Sequence, residues 1–364
     1  MTREAIVSLT TSLVEIPSHT DETAAGDFIA SWLRDETAAT VRRDDAGNVI
    51  ARRQSGGSSP TTSLAFVGHH DVVPPADGQL DADGAYRIER RDGRLYGRGT
   101  ADMKGSLAAA LLAVRDAEPA TELVFASFAG EEQGGIGAQA AIDEGFAPDT
   151  AIVTEGSTGY SAAGVTDVAV AHKGRRGSTL TASGTAGHAS RPDDADNAVY
   201  RACDAVDIVR SLDAPETTVL GNELSGSIAV TEIDGGSAWN VIPDQCTVTV
   251  DERTVPGDRA DLAAAESIAG IEWTVDQDLP PMACDDPAFA DRVLAAADAV
   301  QSGEPRQVVK PHATDAGWLA NAGTDCVVCG AAEPGEAHTA TESVSIDALE
   351  RCYELYRRVA ETPP

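Results

Sequence analysis

Four apolar runs alternate with alanine-rich segments in the first 156 residues, and this alternation constrains the fold more than any other feature. The runs with the composition of buried strands are "NVIAR" (48–52), "SLAFVG" (63–68), "TELVFASFAG" (121–130) and "TAIVTEG" (150–156). The helical segments between them are "GSLAAALLAVRDA" (105–117) and "GAQAAIDEG" (137–145). Strands that alternate with helices form sheets flanked by helices, so we predict an α/β fold with a mostly parallel sheet.

An amphipathic helix is predicted to open the fold, ahead of these strands. Its apolar positions, at helical spacing, are Ala25, Phe28, Ile29, Trp32 and Leu33. Thr20 or Asp21 would cap its N-terminus. The polar stretch "RRQSGGSSPTT" (52–62) is predicted to be an exposed loop.

The middle of the chain has a different order of elements. After "HKGRRG" (172–177) we expect strand "STLTASG", helix "DNAVYRACDAVDIVRSL", strands "GSIAVTEIDG" and "QCTVTVDERT", helix "GDRADLAAAESIAG" and strand "IEWTVDQ". This β-α-β-β-α-β order is the split pattern of ferredoxin-like domains. The α/β pattern resumes at "DPAFADRVLAAADAV", so we predict a larger domain, 1–174 and 282–364, interrupted by a smaller one at 175–281.

The charge balance limits the partners of this chain. It has 59 acidic and 27 basic residues, a formal net charge of −32, and three lysines: Lys104, Lys173 and Lys310. Such a surface repels phosphate backbones, so nucleic acid is not expected as a partner. It suits a halophile's cytosol, where salt near 1 M shortens the Debye length to ~3 Å. The N-terminal residues mix acids and hydroxyls with apolar positions, which predicts a soluble, cytoplasmic protein that does not enter a membrane.

The six cysteines lie scattered through the C-terminal half, at positions 203, 246, 284, 326, 329 and 352. Without a secretory signal, this pattern predicts reduced and mostly buried thiols. Cys326 and Cys329 of "CVVC" have a zinc-like or redox-like spacing. They lack a second cysteine pair and lie in a predicted strand, so we predict a position in the core.

Polar side chains follow the predicted strands. In "FVGHHDVVPP" (66–75), strand alternation puts His69 and Asp71 on one face and His70 on the other. Asp71 would then accept a hydrogen bond from His69 and fix its tautomer as a metal ligand. On this stretch alone, two surface histidines at a strand end explain the residues equally well.

Carboxylates and another histidine occupy comparable positions. Glu131 and Glu132 follow the third apolar run, Glu155 ends the fourth, Asp102 lies in "LYGRGTADMKG", and His338 lies in "EPGEAHTATES". Adjacent acids in so acidic a chain are usually solvated, but these occur where open α/β sheets place their sites. Asp102 replaces the last glycine of a dinucleotide fingerprint, which argues against nucleotide binding. The imidazole and carboxylate set that suits zinc and a two-metal site is His69, Asp102, Glu132, Glu155 and His338.

Six stretches carry a resemblance to a known family. They are "GHHDVVP", "LYGRGTADMKG", "AGEEQGG", "VTEG", "GTAGHASRP" and "GEAHTATE", in this order. Together they resemble the dizinc amidohydrolase family of succinyl-diaminopimelate desuccinylase, acetylornithine deacetylase, aminoacylase and glutamate carboxypeptidase. The resemblance covers nearly the whole chain. It implies a catalytic domain with an inserted lid or dimerisation domain, a homodimer, and a small-molecule N-acyl amino acid as substrate.

The resemblance also implies a role for each residue of the set. Two zinc ions, or cobalt or manganese ions, would be bound by bridging Asp102, by His69 and Glu155 at one ion, and by Glu132 and His338 at the other. A cis peptide bond is implied at Asp102–Met103. Glu131 would act as the base that moves a proton from water to the leaving amine, while the two cations polarise the amide carbonyl.

Residues of the inserted domain are implied to contact the substrate. His188 would hydrogen-bond the developing oxyanion, often in the partner subunit's site, although a lone histidine of this kind is usually a surface or cap residue. Asn240 and Arg253 match positions that bind the substrate's carboxylate, and a planar guanidinium suits that group. If the family resemblance is set aside, Arg253 is better explained as one member of an ion pair at the surface.

Two further groups of residues are candidates for contact with the substrate. Thr314, with Asp315 and His312, lies in "PHATDAGWL", which resembles a stretch that lines the active sites of relatives. The basic cluster of Lys173, Arg175 and Arg176 would either orient an acidic substrate or form a solvated hinge, and the hinge is the preferred interpretation.

The predicted function is hydrolysis of an N-acyl amino acid. The short chain and "GHHDVVPP" look most like the desuccinylase, with acetylornithine deacetylase, aminoacylase, or a carboxypeptidase or dipeptidase as alternatives. A non-catalytic metal-binding relative is a different class, but Glu131 beside the ligands argues against it, because binding alone needs no such carboxylate. No Gly-x-Ser-x-Gly occurs in the chain, which disfavours a serine hydrolase.

Overall fold

The structure is a computed structural model that describes residues 2–55 and 62–364. Within the predicted loop at 52–62, positions 56–61 lie outside the described residues. The described chain divides into two compact units. The first contains the residues up to Ala171, Met282–Lys310 and Thr314–Pro364, and the second contains His172–Pro281 and Pro311–Ala313.

The helices and strands of the described residues are numbered in chain order. The helices are α1 (Thr2–Val14), α2 (Thr23–Glu36), α3 (Gly105–Asp116), α4 (Ile136–Asp143), α5 (Ala198–Ser211), α6 (Pro287–Asp298), α7 (Ala316–Asn321) and α8 (Ile346–Glu361). The strands are β1 (Thr40–Arg43), β2 (Val49–Arg53), β3 (Ser63–His69), β4 (Glu89–Arg91), β5 (Arg94–Tyr96), β6 (Glu122–Phe128), β7 (Thr150–Val153), β8 (Val168–His172), β9 (Arg175–Ser183), β10 (Gly187–His188), β11 (Glu216–Val219), β12 (Asn222–Ser225), β13 (Ser227–Gly235), β14 (Val241–Ile242), β15 (Gln245–Arg253), β16 (Ile271–Leu279), β17 (Met282–Ala283), β18 (Gln307–Lys310), β19 (Asp325–Val328) and β20 (Ser343–Ser345). In this described part of the chain, no helix combines the length and the apolar character that crossing a lipid bilayer requires.

A nine-stranded mixed sheet forms the centre of the first unit. Its order is β1, β2, β6, β3, β7, β19, β8 and β17, with β18 beside β8. β3 runs parallel to both β6 and β7, and β7 runs parallel to β19. Because parallel strands end at the same edge of a sheet, the residues that follow β3, β6 and β7 emerge together. This edge carries His69, Glu131 and Glu155.

One of the four predicted strands runs in the opposite direction. "NVIAR" corresponds to β2, which pairs antiparallel with both β1 and β6. Only residues 54–62 connect β2 to β3 in the sequence, whereas a crossover between parallel strands needs roughly a dozen residues or more. The mostly parallel α/β sheet is confirmed, and β2 belongs to its antiparallel part.

A helix precedes the one predicted to open the fold. The expected helix is α2, but its N-cap is Glu22 without a side-chain cap, so the predicted cap at Thr20 or Asp21 is wrong. Asp21 Oδ1 accepts a hydrogen bond from the amide of Thr23 at 2.9 Å. The earlier helix is α1, which the sequence prediction lacks. Its buried residues Ile6, Leu9 and Leu13 recur at helical spacing, so the signal is present in the sequence.

A four-stranded antiparallel sheet forms the second unit. Its order is β13, β15, β9 and β16. The first of these strands in the sequence, β9, therefore lies between the third and the fourth, as the split pattern predicts. The face of α5 that joins the core of this unit carries Ala198, Ala202, Ala205 and Val209.

The second helix predicted for this unit is shorter than expected and is not an α-helix. Within "GDRADLAAAESIAG" the chain forms a short 3₁₀ helix over Leu262–Ser267. Its buried residues, Leu262 and Ala265, lie three positions apart, which matches the three-residue repeat of a 3₁₀ helix. A hairpin of β11 and β12, which the sequence pattern does not predict, also precedes β13.

The cysteines lie mainly in the core. Cys203 is exposed, the other five are buried, and all six are free thiols. Burial raises the pKa of Cys326 and of Cys329 well above the usual value, so both thiols stay protonated. The predicted core position of "CVVC" is therefore confirmed.

Candidate metal centre

His69 ends β3 and is buried at the edge of the large sheet. Its Nδ1 lies 3.0 Å from the backbone oxygen of Asp71 and 3.4 Å from Asp71 Oδ1. Its Nε2 lies 3.0 Å from Asp102 Oδ1 and 3.3 Å from Glu155 Oε1. Asp71 therefore favours the proton on Nδ1, so that Nε2 is the atom that would bind a metal.

The carboxylate of Asp71 also holds the turn that follows β6. Its Oδ1 accepts a hydrogen bond from the amide of Glu131 at 3.2 Å, and its Oδ2 accepts one from the amide of Glu132 at 3.0 Å. Burial would raise the pKa of Asp71, but hydrogen bonds from His69 and from these amides keep it below the usual value. One buried residue thus orients the His69 ring and the backbone that carries both glutamates.

Asp102 lies between two histidines, in an irregular turn over Thr100–Lys104 that precedes α3. Its Oδ1 lies 3.0 Å from His69 Nε2, and its Oδ2 lies 3.1 Å from His338 Nε2. The Asp102–Met103 peptide bond is cis, as the family resemblance implies. Burial would raise the pKa of Asp102, but the hydrogen bonds from His338 and His69 lower it, so the carboxylate is ionised.

Glu132 and His338 lie at the other end of the cluster. His338 Nε2 is 3.0 Å from Glu132 Oε1, and the His338 side chain is 51% exposed. The backbone of His338 has a φ of 64°, in the left-handed region that few residues other than glycine adopt. Hydrogen bonds to Asp102 and Glu132 raise the pKa of His338 to about 10. This end of the cluster therefore attracts positive charge.

Glu155 follows β7 and faces a histidine on one side and a lysine on the other. Its Oε1 lies 3.3 Å from His69 Nε2, and its Oε2 lies 3.5 Å from Lys310 Nζ. Burial and Asp102 would raise the pKa of Glu155, but Lys310 and His69 outweigh them and lower it. Glu155 is therefore ionised.

Glu131 lies beside the cluster. One of its carboxylate oxygens lies within 4.8 Å of ligand atoms of His69 and Glu155. Burial raises the pKa of Glu131 well above the usual value, and the charges of Asp315 and Glu155 add to this against the opposing effect of His69. A carboxyl group with a raised pKa is suited to accept a proton and to give it back.

The donor atoms fit divalent metal ions such as zinc. Two overlapping groups have ligand atoms within 4.8 Å of one another: His69, Glu131 and Glu155, and His69, Asp102 and Glu132. Burial alone would lower the pKa of His69, but hydrogen bonds to Asp102, Asp71 and Glu155 raise it well above the usual value. The carboxylates therefore stabilise positive charge at this position, and a bound cation would supply that charge. Imidazole nitrogens and carboxylate oxygens are both ligands of Zn²⁺.

The sequence profile described as peptidase family M20/M25/M40 matches residues 65–362, well over half of the chain. The chain belongs to this family. The match extends over the whole cluster, from His69 to His338, and over the second unit. M20 membership makes the protein an amide hydrolase by family.

Two relatives with similar identity to this chain are named for different activities. The acetylornithine deacetylase of Myxococcus xanthus is 30% identical over 346 residues, which cover 86% of this chain and 84% of the relative. The succinyl-diaminopimelate desuccinylase of Acidiphilium cryptum is 29% identical and is aligned over 99% of both chains. The relatives that are similar over most of this chain therefore include proteins named as a deacetylase and as a desuccinylase.

Solved structures show that the M20 fold extends over the whole chain. The aminopeptidase PepT of Bacillus cereus has a TM-score of 0.81 at 19% identity, and the alignment covers 99% of this chain and 98% of that one. The YXEP protein of Bacillus subtilis, described as a dinuclear metal binding peptidase from the M20 family, has a TM-score of 0.70 at 17% identity and covers 99% and 97%. At these identities the likeness concerns the fold.

Two of the residues predicted to contact substrate lie together in the second unit. His188 pairs with Val241 between β10 and β14, and the amide of Ala189 donates to the backbone oxygen of Asn240 at 3.0 Å. His188 is exposed, and its Nδ1 accepts a hydrogen bond from the amide of Ser190 at 3.1 Å. An accepting Nδ1 places the ring proton on Nε2, which is therefore a hydrogen-bond donor.

The arginines of the second unit are paired with carboxylates. Arg253 donates to Asp251 through Nε at 2.7 Å and through Nη2 at 3.4 Å, and Arg175 Nε donates to the same carboxylate at 2.7 Å. This is the ion pair that the sequence alone favours for Arg253, and its contact with a substrate carboxylate stays a prediction. Arg176 is buried against Glu252, so the solvated-hinge interpretation of the basic cluster is wrong for this residue.

Thr314 and Asp315 are buried at the start of α7, whereas His312 belongs to the second unit. Thr314 Oγ1 accepts a hydrogen bond from the amide of Ala316 at 3.2 Å. Neither carboxylate oxygen of Asp315 has a hydrogen-bond partner among the described residues, and burial raises its pKa to about 7. The charge of Asp315 acts on Glu131, which links this stretch to the cluster.

A buried ion pair that the sequence does not predict supports the cluster. Glu342 Oε1 accepts hydrogen bonds from the amides of Ala101 and Asp102, at 3.0 and 3.1 Å. Arg98 pairs with the other oxygen of Glu342, and Arg98 Nη2 lies 3.5 Å from the backbone oxygen of His338. The pair therefore connects the Asp102 turn to the His338 loop. The sequence contains a signal for Glu342, because this residue is the last one of the stretch "GEAHTATE" that includes His338.

His70 lies in the core, away from the cluster. Its Nδ1 is 2.9 Å from Ser127 Oγ on β6, and its Nε2 has no hydrogen-bond partner among the described residues. Burial lowers the pKa of His70 to about 3, so the ring is neutral. The opposite orientations of His69 and His70 agree with strand alternation.

Proposed function

We propose that this chain is a two-zinc hydrolase that releases the acyl group from an N-acyl amino acid. The observation that carries the proposal is Asp102, whose oxygens face His69 Nε2 at 3.0 Å and His338 Nε2 at 3.1 Å. One carboxylate between two imidazoles is suited to a pair of metal ions. Cobalt or manganese would also be accepted by this set of nitrogen and oxygen donors.

The proposed roles divide the cluster between two ions. Asp102 would bridge both, His69 and Glu155 would bind one, and Glu132 and His338 would bind the other. Bound zinc would polarise the amide carbonyl and make water more acidic. Glu131, which is not required as a ligand, takes a proton from the attacking water and returns it to the leaving amine nitrogen.

Glu131→Gln separates this proton transfer from metal binding. Removing the base should lower kcat by roughly 10²–10⁴-fold, because the amide of glutamine cannot accept the proton. Metal content, measured by elemental analysis, should remain at the native value. Gln133→Ala, an exposed position in the same turn, is the matched control. Native turnover in Glu131→Gln would contradict the assignment.

Metal removal tests whether this chain is a metal-dependent hydrolase or a non-catalytic member of the family. A chelator should abolish hydrolysis, and added zinc should restore it. The reason is that the proposed mechanism needs bound metal ions to polarise the amide carbonyl and to make the attacking water more acidic. Activity that survives complete metal removal would contradict the mechanism. A protein that binds two metal ions but hydrolyses none of the candidate substrates would be a non-catalytic member of the family.

For the substrate we propose N-succinyl-diaminopimelate. The support is the alignment with the Acidiphilium cryptum desuccinylase over 99% of both chains, together with "GHHDVVPP". N-acetylornithine is the second candidate, since the Myxococcus xanthus deacetylase is 30% identical. Aminoacylase, carboxypeptidase and dipeptidase substrates are further alternatives.

A substrate panel at high salt tests this choice. The kcat/KM for N-succinyl-diaminopimelate should exceed that for N-acetylornithine and for dipeptides by about tenfold or more, because a site that pairs a polar substrate group rejects analogues that lack it. A higher kcat/KM for N-acetylornithine would replace the desuccinylase assignment and leave the two-metal mechanism intact.

We also propose a cytoplasmic homodimer, formed through the second unit. β13 is a nine-residue strand at the edge of the four-stranded sheet, and its side chains Val230 and Ile233 are exposed. An open strand edge with apolar side chains favours pairing with a second copy. His188 of this unit would then donate its Nε2 proton to the oxyanion in the partner's site. Light scattering in solution measures the oligomeric state.

A further inference from the structure

Lys310 has an unusual position for a lysine in this chain. It is one of three lysines among 27 basic residues, and only 6% of it is exposed at the end of β18. Lysine is almost never buried without a partner, because an unpaired ammonium group loses its hydration. The partner of Lys310 is Glu155, whose Oε2 lies 3.5 Å from Nζ.

The two oxygens of Glu155 therefore have different surroundings. Oε1 faces His69 Nε2 at 3.3 Å, and Oε2 faces the Lys310 ammonium group at 3.5 Å. If both oxygens turned toward a metal ion, the buried ammonium group would lose its partner, which is costly. Asp102 is different, since both of its oxygens face imidazole nitrogens.

We propose that Lys310 is a positioning residue that restricts Glu155 to a single coordinating oxygen. The inference rests on the proposed two-metal centre. Because Oε2 is held by Lys310, the coordination position that it would otherwise occupy stays open. A catalytic zinc site requires such an open position for substrate or water, whereas a structural site is closed by protein ligands.

Cobalt substitution gives a readout that does not depend on turnover. Lys310→Met removes the charge and keeps a long unbranched side chain, so Glu155 gains a second oxygen for the metal. The variant should bind two Co²⁺ ions with weaker visible absorption per ion, because a higher coordination number reduces that absorption. Its kcat should fall by about 10–100-fold with little change in KM. Lys310→Arg keeps a cation beside Oε2 and should retain the native spectrum and most of the kcat.

Several results would overturn the inference. An unchanged cobalt spectrum in Lys310→Met would show that Glu155 is not restricted by Lys310. A rise in KM alone would assign Lys310 to substrate binding. Loss of metal in both Lys310→Met and Lys310→Arg would make it a structural residue, and thermal unfolding of each metal-free variant shows whether folding is the cause. If Lys310→Met does not fold, Lys310→Gln, which is also uncharged, is measured in its place.

Measurements on the native protein show whether this inference alone has failed or whether the proposed function has failed with it. If native protein binds two Co²⁺ ions and hydrolyses its substrate while the Lys310→Met spectrum is unchanged, the inference fails and the two-metal function stands. If native protein binds no Co²⁺, the two-metal proposal itself fails, and the inference fails with it.

Discussion

His69 and His70 are neighbours in the sequence with opposite surroundings. His69 Nε2 faces the carboxylates of Asp102 and Glu155, whereas the His70 ring lies in the core beside Ser127. Strand geometry is the cause, because successive side chains point to opposite faces. Identity of residue type therefore says little here, and position along the strand decides which histidine belongs to the candidate metal centre.

Alanine at each histidine should give opposite results. His69→Ala removes one proposed ligand, so we expect loss of a metal ion and of most activity. His70→Ala should keep both metal ions but lower the free energy of unfolding by about 2–4 kcal/mol, because it leaves a cavity and an unpaired Ser127 hydroxyl. Elemental analysis and urea unfolding measure these effects. Metal loss in His70→Ala with none in His69→Ala would overturn the assignment.

The turn over Thr100–Lys104 is held by a side chain that is distant in the sequence. Glu342 accepts two of its amides and pairs with Arg98, and both side chains are buried. Arg98 also approaches the backbone of His338. The turn and the His338 loop are thus tied together before any metal binds, which reduces the reorganisation that binding requires.

Glu342→Gln should weaken this link and leave Arg98 unpaired in the core. We expect a loss of about 3–5 kcal/mol in the free energy of unfolding, because the uncompensated charge stays buried. Zinc affinity should fall by about 10–100-fold. Glu361→Gln, which breaks a surface pair with Arg357 at the end of α8, is the control and should change neither quantity. Native zinc affinity in Glu342→Gln would contradict the positioning role.

Elements differ in how far their sequences specify them. β3, β6 and β7 are bounded by clear changes in composition, and His69, Glu131, Glu132 and Glu155 lie at or just after their ends. The direction of β2 depends instead on the length of its connection to β3. The 3₁₀ helix at Leu262–Ser267 has the alanine content of an α-helix, and tertiary packing overrides that propensity.

The net charge of −32 acts on the entire chain. Like charges repel one another more strongly in the compact state than in the unfolded state, so folding works against this repulsion. Salt screens it, since the Debye length falls from ~10 Å at 0.1 M to ~3 Å at 1 M. Stability and activity of this protein are therefore expected to depend on ionic strength.

Thermal unfolding in KCl tests this dependence. Tm should rise as KCl increases from about 0.1 to about 1 M, because screening relieves the repulsion. Sucrose stabilises by exclusion from the protein surface without screening charge, so a sucrose series separates the two effects. A Tm that falls with KCl would show that the surface charges do not destabilise the fold.

Local sequence was sufficient for the α/β class, for the four main strands and the first helix of the second unit, and for the residue types of the cluster. Periodicity and strand ends are properties of neighbouring residues, so they can be recognised without the fold. Long-range packing alone established which atoms face one another. Glu155 meets Lys310 across 155 positions, and Asp102 meets Glu342 across 240. Such contacts depend on how the sheet, the turn and the loop pack together, and they cannot be inferred from a local sequence pattern.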